Sequence, residues 1–159
     1  MNACPDHSCE QSGLAWLWST GREGRLTYIS PSVHPNAVNF VGKPLAFYMG
    51  DDSRGEYIYK FVTAAAWDPK DIGGGMAAGD KYLNEGKLYV ARFDADGRGQ
   101  WIELTIQDPR IANYSAFKFE NQGEVYLYTR HAADAVGATK MDRPEWAAVN
   151  PKTARCMSP

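Results

Sequence analysis

The chain has 159 residues, of which 44% are hydrophobic and 23% are charged, and its formal net charge is −2. This balance excludes a strongly basic nucleic-acid-binding surface and an acidic tail. Aromatic residues make up 13% of the chain, a content that is typical of a packed interior and excludes a mostly disordered chain. No window approaches the roughly 18 to 20 consecutive apolar residues of a membrane-spanning helix. The sequence therefore predicts neither a nucleic-acid partner nor a membrane span.

The amino-terminal segment Met1–Gly24 is polar apart from a short apolar cluster at Leu14–Trp18. We expect it to be poorly ordered or to form a damaged strand. Its first ten residues contain no Lys or Arg and no apolar run before a cleavage site. They do not predict a secretory signal peptide, and the chain itself does not indicate its compartment.

From Arg25 onward, short runs of β-branched and aromatic residues alternate with turn residues, which is typical of strands. The predicted strands are Leu26–Ile29, Ala37–Val41, Leu45–Met49, Tyr57–Val62, Leu88–Phe93, Gln100–Ile106 and Glu145–Val149. Val41–Pro44 and Asp94–Gly99 are expected to connect hairpins. Ala64–Asn84, which contains a proline and three consecutive glycines, is expected to be a long loop.

One helix is predicted, from about Gln122 to Val136. Asn121 can cap its first turn, Glu124 stands where the reciprocal carboxylate of a capping box belongs, and Gly137 can end it. The residues that would share its buried face are Val125, Thr129, Ala132 and Val136. Val125–Tyr128 also fits a strand, so both interpretations stay open. Strands of this length, spaced roughly 8 to 12 residues apart, are typical of a sandwich, a barrel or a propeller.

The segment Gly50–Glu56 crowds the carboxylates of Asp51, Asp52 and Glu56 around Arg54. Like charges at this spacing repel each other unless a cation lies among them. That cation could be a metal ion, or the segment could be a solvated turn in which Arg54 is the counterion. The residues alone favour the solvated turn.

A second charged segment contains Arg143, Pro144 and Glu145. Pro144 favours extended backbone at the residue before it, and residues two apart on an extended chain project to the same side. Arg143 and Glu145 would then face one side together. An arginine fork suits a phosphate, and a carboxylate can hold a hard metal ion, as a metal-assisted phosphoester site requires. An exposed ion pair would leave the same pattern, and the residues alone leave the two interpretations near even.

Three long segments resemble segments of the PhoX-type alkaline phosphatase family and occur in the family's order. They are Tyr48–Val62, Leu88–Leu104 and Ala132–Trp146. The resemblance as a whole spans roughly Arg25 to Thr153. On this resemblance the chain is identified as a truncated member of the family.

The resemblance implies a β-propeller phosphomonoesterase that is exported and folds with calcium and iron. Glu145 would be a metal ligand and Arg143 a phosphate contact, and both would take part in catalysis. Asp142, next to them, would be a second candidate metal ligand. The implied partner is a phosphate monoester substrate.

Several features depart from the family's pattern. The family's chains are several times longer, and they take a bridging cysteine and adjacent acidic ligands from an upstream segment. Ser8–Gln11 superficially resembles that segment but lies too close to the later motifs. His34–Ala37 falls where relatives often have His-Glu, and Pro35 offers no ligand atom.

We therefore expect a mainly β fold, namely a partial β-propeller of about two to three blades with one short helix and a long loop. Residues 1–24 would be the poorly ordered segment and residues 25–159 the partial phosphatase domain. An open arc of blades leaves strand edges exposed, through which the chain could associate with itself.

The function that these observations predict is that of a fragment of a metal-dependent phosphomonoester hydrolase, inactive alone because upstream metal ligands are missing. The alternative is a non-catalytic binding module that reuses propeller strands. Because part of the ligand set is missing, we expect the segment Gly50–Glu56 and the segment around Arg143 to approach each other only loosely.

Overall fold

The computed structural model describes the main part of the chain and the backbone of three short outlying strands. The described residues are 41–50 and 53–144, with the backbone alone for Asp51 and for 24–28, 148–149 and 156–157. Sequence predictions that lie outside them concern 1–23, His34–Ala37, the strand at 37–40, Asp52 and Glu145.

Antiparallel strands dominate these residues. The strands are β1 (Gly24–Tyr28), β2 (Pro44–Asp51), β3 (Arg54–Glu56), β4 (Tyr59–Ala66), β5 (Gly86–Phe93), β6 (Gly99–Glu103), β7 (Met141–Asp142), β8 (Ala148–Val149) and β9 (Cys156–Met157). The helices in the described part of the chain are α1 (Gly75–Leu83), α2 (Pro109–Ala112), α3 (Gln122–Leu127) and α4 (Thr129–Ala135), and a 3-10 turn lies at Pro69–Asp71.

The largest sheet has five strands in the order β1-β2-β4-β5-β6, and all its neighbours are antiparallel. Two smaller ribbons pair β3 with β7 and β8 with β9. The hairpin predicted at Asp94–Gly99 is confirmed, since its loop joins β5 to β6. Within it the Asp94 N–H donates to the Arg98 carbonyl at 2.8 Å. The strand predicted at Tyr57–Val62 begins two residues later, at Tyr59.

One face of the five-stranded sheet packs against the helices. Successive side chains of a strand point to opposite faces, so Phe47 faces the core and is 1% exposed, whereas Tyr48 lies on the other face. The core residues are Tyr57, Val90, Ile102, Leu104, Ile111, Phe119, Val125, Ala132, Ala133 and Val136, with a second group of Leu45, Phe47, Trp67 and Tyr82. These apolar contacts fix the sheet against α1 to α4.

The segment Ala64–Asn84 is not a long loop. Strand β4 continues into it, and the 3-10 turn and α1 occupy most of the rest. Long-range packing explains the difference: Trp67 and Tyr82 are buried with ring centroids 5.8 Å apart. The Tyr82 hydroxyl also hydrogen-bonds Asp71. Burial of two large aromatic side chains stabilises a helix that its glycines alone would not favour.

The predicted helix at Gln122–Val136 is two helices, because α3 ends at Leu127 and α4 begins at Thr129. The strand interpretation of Val125–Tyr128 is therefore wrong, and four helices occur in the described residues where one was predicted. Both predicted ends are confirmed. The Asn121 side chain accepts from the Glu124 N–H at 3.1 Å, and Gly137 ends α4 with a φ of 67°, a backbone conformation that glycine adopts without steric cost.

Among the described residues, no helix combines the length and the apolar character that crossing a bilayer requires.

Candidate functional site

The ribbon of β3 and β7 brings together the two charged segments that the sequence singled out. Arg54 pairs with Asp142, and Glu56 pairs with Met141. One residue further, the Arg143 N–H donates to the Ser53 carbonyl at 3.1 Å. The backbones of the two segments are therefore hydrogen-bonded to each other, whereas the side chains of Asp51, Asp52 and Glu145, which the expected loose approach concerns, lie outside the described residues.

The end of β2 also contacts the chain that leaves this ribbon. Pro144 is buried, and its carbonyl oxygen lies so close to Gly50 that a Cβ there would be 1.8 Å from it. Only a glycine permits this approach without displacing one of the two backbones. The contact fixes Pro144 against the five-stranded sheet.

Arg143 has a φ of 55°, which contradicts the extended backbone predicted for it. A left-handed conformation is uncommon for a residue with a side chain, and such residues persist where surrounding contacts hold them, often at functional sites. Here the Ser53 hydrogen bond and the buried Pro144 supply those contacts. Alternation along an extended chain therefore no longer places Arg143 and Glu145 on one side, and Glu145 lies outside the described residues.

Glu56 does not belong to a solvated turn. It is 5% exposed, and its Oε1 lies 2.7 Å from Nη1 of Arg130 on α4. Nε of Arg54 lies 3.9 Å from Oδ1 of Asp142, and both of these side chains are largely exposed. A buried carboxylate requires a partner of this kind, so Glu56 joins the ribbon to α4.

A second set of polar contacts lies beside the first. The Tyr57 hydroxyl donates to Oδ1 of Asp134 on α4, and Nζ of Lys140 lies 3.0 Å from the same oxygen. Burial raises the pKa of Tyr57, and the hydrogen bond to Asp134 raises it further. Burial alone would raise the pKa of Asp134, but the hydrogen bonds from Tyr57 and Lys140 outweigh it and lower that pKa.

These two sets share one face of α4, because Arg130 and Asp134 are four residues apart on the helix. We call them the α4 clamp, which consists of Arg130 and Asp134 with their partners Glu56, Tyr57 and Lys140. Sequence reasoning missed the clamp. Its signal, a charge pair at helical spacing, was present in the predicted helix. The partner Glu56 lies more than 70 positions from Arg130, however, and the partner Tyr57 lies 77 positions from Asp134.

Of the two predicted metal ligands, only Asp142 lies in the described region. Its side chain is 76% exposed and has Arg54 as its neighbour. Within residues 41–50 and 53–144, no three His, Cys, Asp or Glu side chains come together as a metal site would require.

Comparisons with known proteins agree on one family. The family model described as alkaline phosphatase PhoX matches residues 34–157. Among solved structures, Pseudomonas fluorescens PhoX in complex with vanadate, a transition state analogue, matches with 42% sequence identity and a TM-score of 0.61. That match covers 72% of this chain and 20% of the other, so the chain spans about a fifth of that relative's length. No curated protein matches the chain.

Proposed function

The chain belongs to the PhoX alkaline phosphatase family, and on this premise we propose that residues 25–159 form part of a phosphomonoester hydrolase site in which Arg143 binds the phosphoryl group. The solved relative holds vanadate, a transition state analogue, and an anion of that kind is what an arginine fork can bind through two parallel hydrogen bonds. The proposed substrate class is accordingly phosphate monoesters.

The observation that carries this proposal is the backbone of Arg143. Its φ of 55° and the hydrogen bond that its backbone N–H donates to the Ser53 carbonyl fix where the side chain begins, while the residue as a whole is exposed. A backbone that is fixed before the anion arrives leaves less of the residue to be reorganised when charge develops on the phosphoryl oxygens. Arg143 would orient the group and stabilise its charge.

Calcium and iron, with Glu145 and Asp142 as ligands, are also part of the proposal. These metal ions would require ligands beyond residues 41–50 and 53–144, since no three His, Cys, Asp or Glu side chains come together within those residues. The role that we assign to the described residues is therefore limited to binding and orienting the phosphoryl group.

We further propose that the isolated chain does not turn over substrate, since it spans only 20% of the solved relative. The test is hydrolysis of p-nitrophenyl phosphate by the isolated chain with calcium and iron, beside the variant Glu145→Ala. We expect no turnover above the level of the variant. Turnover that Glu145→Ala abolishes would contradict the proposed inactivity and would at the same time support Glu145 as a catalytic residue.

The fold proposed for the whole site is a β-propeller of which the five-stranded sheet supplies one blade. In support, β2, β4, β5 and β6 lie side by side in the sheet, antiparallel and in the order of the chain, with only the short β3 between β2 and β4 along the chain, as in a blade. The number of blades in residues 25–159, about two to three on length, stays a prediction.

A second candidate function is a non-catalytic binding module, and the outer face of the sheet favours it. There Nζ of Lys60 lies 4.8 Å from the ring centroid of Tyr89 and 4.6 Å from that of Trp101, and Tyr48 contacts Trp101. An aromatic surface around a cation is suited to a partner. This function predicts a stable monomer or a defined oligomer without metals in size-exclusion chromatography and thermal melts. Indefinite self-association through strand edges would contradict it.

A further inference from the structure

We propose that the α4 clamp positions Arg143, so that Arg130 and Asp134 are positioning residues for phosphate binding although neither needs to touch the phosphate. This inference rests on the proposed function, because it concerns the arginine that would bind the phosphoryl group. It assigns a task to charged residues that lie on a helix behind the site.

The first part of the clamp holds β3. Glu56 is the last residue of that strand, its side chain is 7% exposed, and the guanidinium of Arg130 lies 2.7 Å away. Removing the cation from such a pair takes a charge partner away from a buried carboxylate, which is costly. The end of β3 would then move towards water, and with it Met141, its partner in β7.

The second part of the clamp holds both chain segments at once. One carboxylate oxygen of Asp134 accepts from Tyr57, which directly follows β3, and binds Lys140, which directly precedes β7. The two strands of the ribbon are therefore joined to the same helix face at the end where they are adjacent to α4. The opposite end of the ribbon carries Arg143 and Ser53.

The ribbon needs this support because it is very short. Strand β7 has two residues and β3 has three, and an isolated two-stranded ribbon is at best marginally stable in water. The left-handed backbone of Arg143 also persists only where its surroundings hold it. The α4 clamp at one end and the contact of Pro144 with Gly50 at the other supply that support.

The experiment uses the full 159-residue chain and nuclear magnetic resonance with two readouts. The first is hydrogen exchange of the Arg143 amide, which donates to Ser53. The second is a titration with inorganic phosphate, followed at the Arg143 side chain. The variants are Arg130→Ala, Arg130→Lys and Asp134→Asn. The control is Arg98→Ala in the β5–β6 hairpin, where the arginine is exposed and lies near Asp96.

For Arg130→Ala we expect hydrogen exchange at the Arg143 amide to accelerate by about tenfold or more. We expect phosphate to bind about tenfold more weakly, a change in affinity that corresponds to the loss of roughly one charge-assisted hydrogen bond. Amides of β5 and β6 should keep their protection. Arg130→Lys should restore part of both effects, since a lysine can still pair with the buried carboxylate. The control should change neither readout.

The outcomes separate this inference from the proposed function. If the unchanged chain does not bind phosphate while Arg130→Ala still accelerates exchange at Arg143, the positioning role stands and the proposed function fails. If Arg130→Ala alters neither the exchange nor the phosphate affinity, the positioning role is wrong. If Arg130→Ala unfolds the whole chain, Asp134→Asn decides. That variant keeps an acceptor for Tyr57 but removes the charge that binds Lys140, and an unchanged Arg143 amide would overturn the inference.

Discussion

The five-stranded sheet and the β3–β7 ribbon are both antiparallel, yet different interactions hold them in place. The sheet buries a row of apolar side chains against the helices, including Phe47 and Val90 at 1% and 0% exposure. The ribbon depends on an ion pair between the buried carboxylate of Glu56 and Arg130, a shared carboxylate and one glycine contact. The scaffold is therefore stabilised by the apolar surface that it buries, whereas the site is positioned by a few directional contacts.

The largest expected effect breaks the scaffold. Phe47→Ala removes a fully buried ring and should lower the free energy of unfolding by about 3–5 kcal/mol. Denaturant titration measures the change. The control is Phe93→Ala in β5, a ring that is 46% exposed and should cost much less. Equal losses for the two variants would show that the sheet is not held by its buried face.

The next effect should separate the ribbon from the scaffold. Gly50→Ala places a methyl group 1.8 Å from the Pro144 carbonyl, and the displacement should cost about 1–3 kcal/mol and loosen Arg143. The control Gly79→Ala in α1 meets no atom within 4 Å and should be neutral or stabilising. Stability and hydrogen exchange at Arg143 are the measurements. A Gly50→Ala variant with an unchanged Arg143 amide would contradict the proposed packing.

The pH dependence of stability sharpens the comparison at Tyr57. In the unfolded chain a tyrosine loses its proton near pH 10.0, and in the folded chain burial and Asp134 raise the pKa of Tyr57. The unfolded state therefore releases a proton first, and the free energy of unfolding falls as the pH rises above about 10. Tyr57→Phe should lose about 1 kcal/mol at neutral pH and show a shallower alkaline decline. Tyr126→Phe, an exposed tyrosine, is the control. An unchanged alkaline slope in Tyr57→Phe would contradict the account.

The smallest expected effect lies within the ribbon itself. Arg54→Ala removes a 3.9 Å pair with Asp142 in which both side chains are largely exposed, and such pairs contribute about 0–1 kcal/mol. Its free energy of unfolding should therefore stay close to that of the unchanged chain, whereas Arg130→Ala should fall clearly below it. Denaturant titration of the two variants side by side is the measurement. A larger loss of unfolding free energy for Arg54→Ala than for Arg130→Ala would show that the exposed pair, and not the α4 clamp, supports the ribbon.

The sequence predicted those parts of the fold that depend on residues close together along the chain. Strand positions, the Asp94–Gly99 hairpin and the ends at Asn121 and Gly137 follow from local patterns. Helix α1 was missed because its stability comes from the burial of Trp67 and Tyr82, which are distant from each other in sequence.

In the candidate site, too, local patterns predicted some features, whereas others depend on contacts between distant segments. Residue patterns identified the segments around Arg54 and Arg143 but left their chemistry open, and the family resemblance gave it a direction that the comparisons confirm at the level of the family. The extended backbone predicted before Pro144 is wrong because the contacts to Ser53 and Gly50 override a local preference. The partner of Glu56 could not be read from the chain, since Arg130 becomes its neighbour only after α4 packs against the ribbon.

The most direct test of the central claim is a crystal structure of the chain with vanadate bound, beside the variant Arg143→Ala under the same conditions. We expect vanadate oxygens at about 2.7–2.9 Å from the Arg143 guanidinium, the distance of a charge-assisted hydrogen bond, and no vanadate there in the variant. Vanadate that binds elsewhere, or equally well in Arg143→Ala, would contradict the assignment of this arginine to the phosphoryl group.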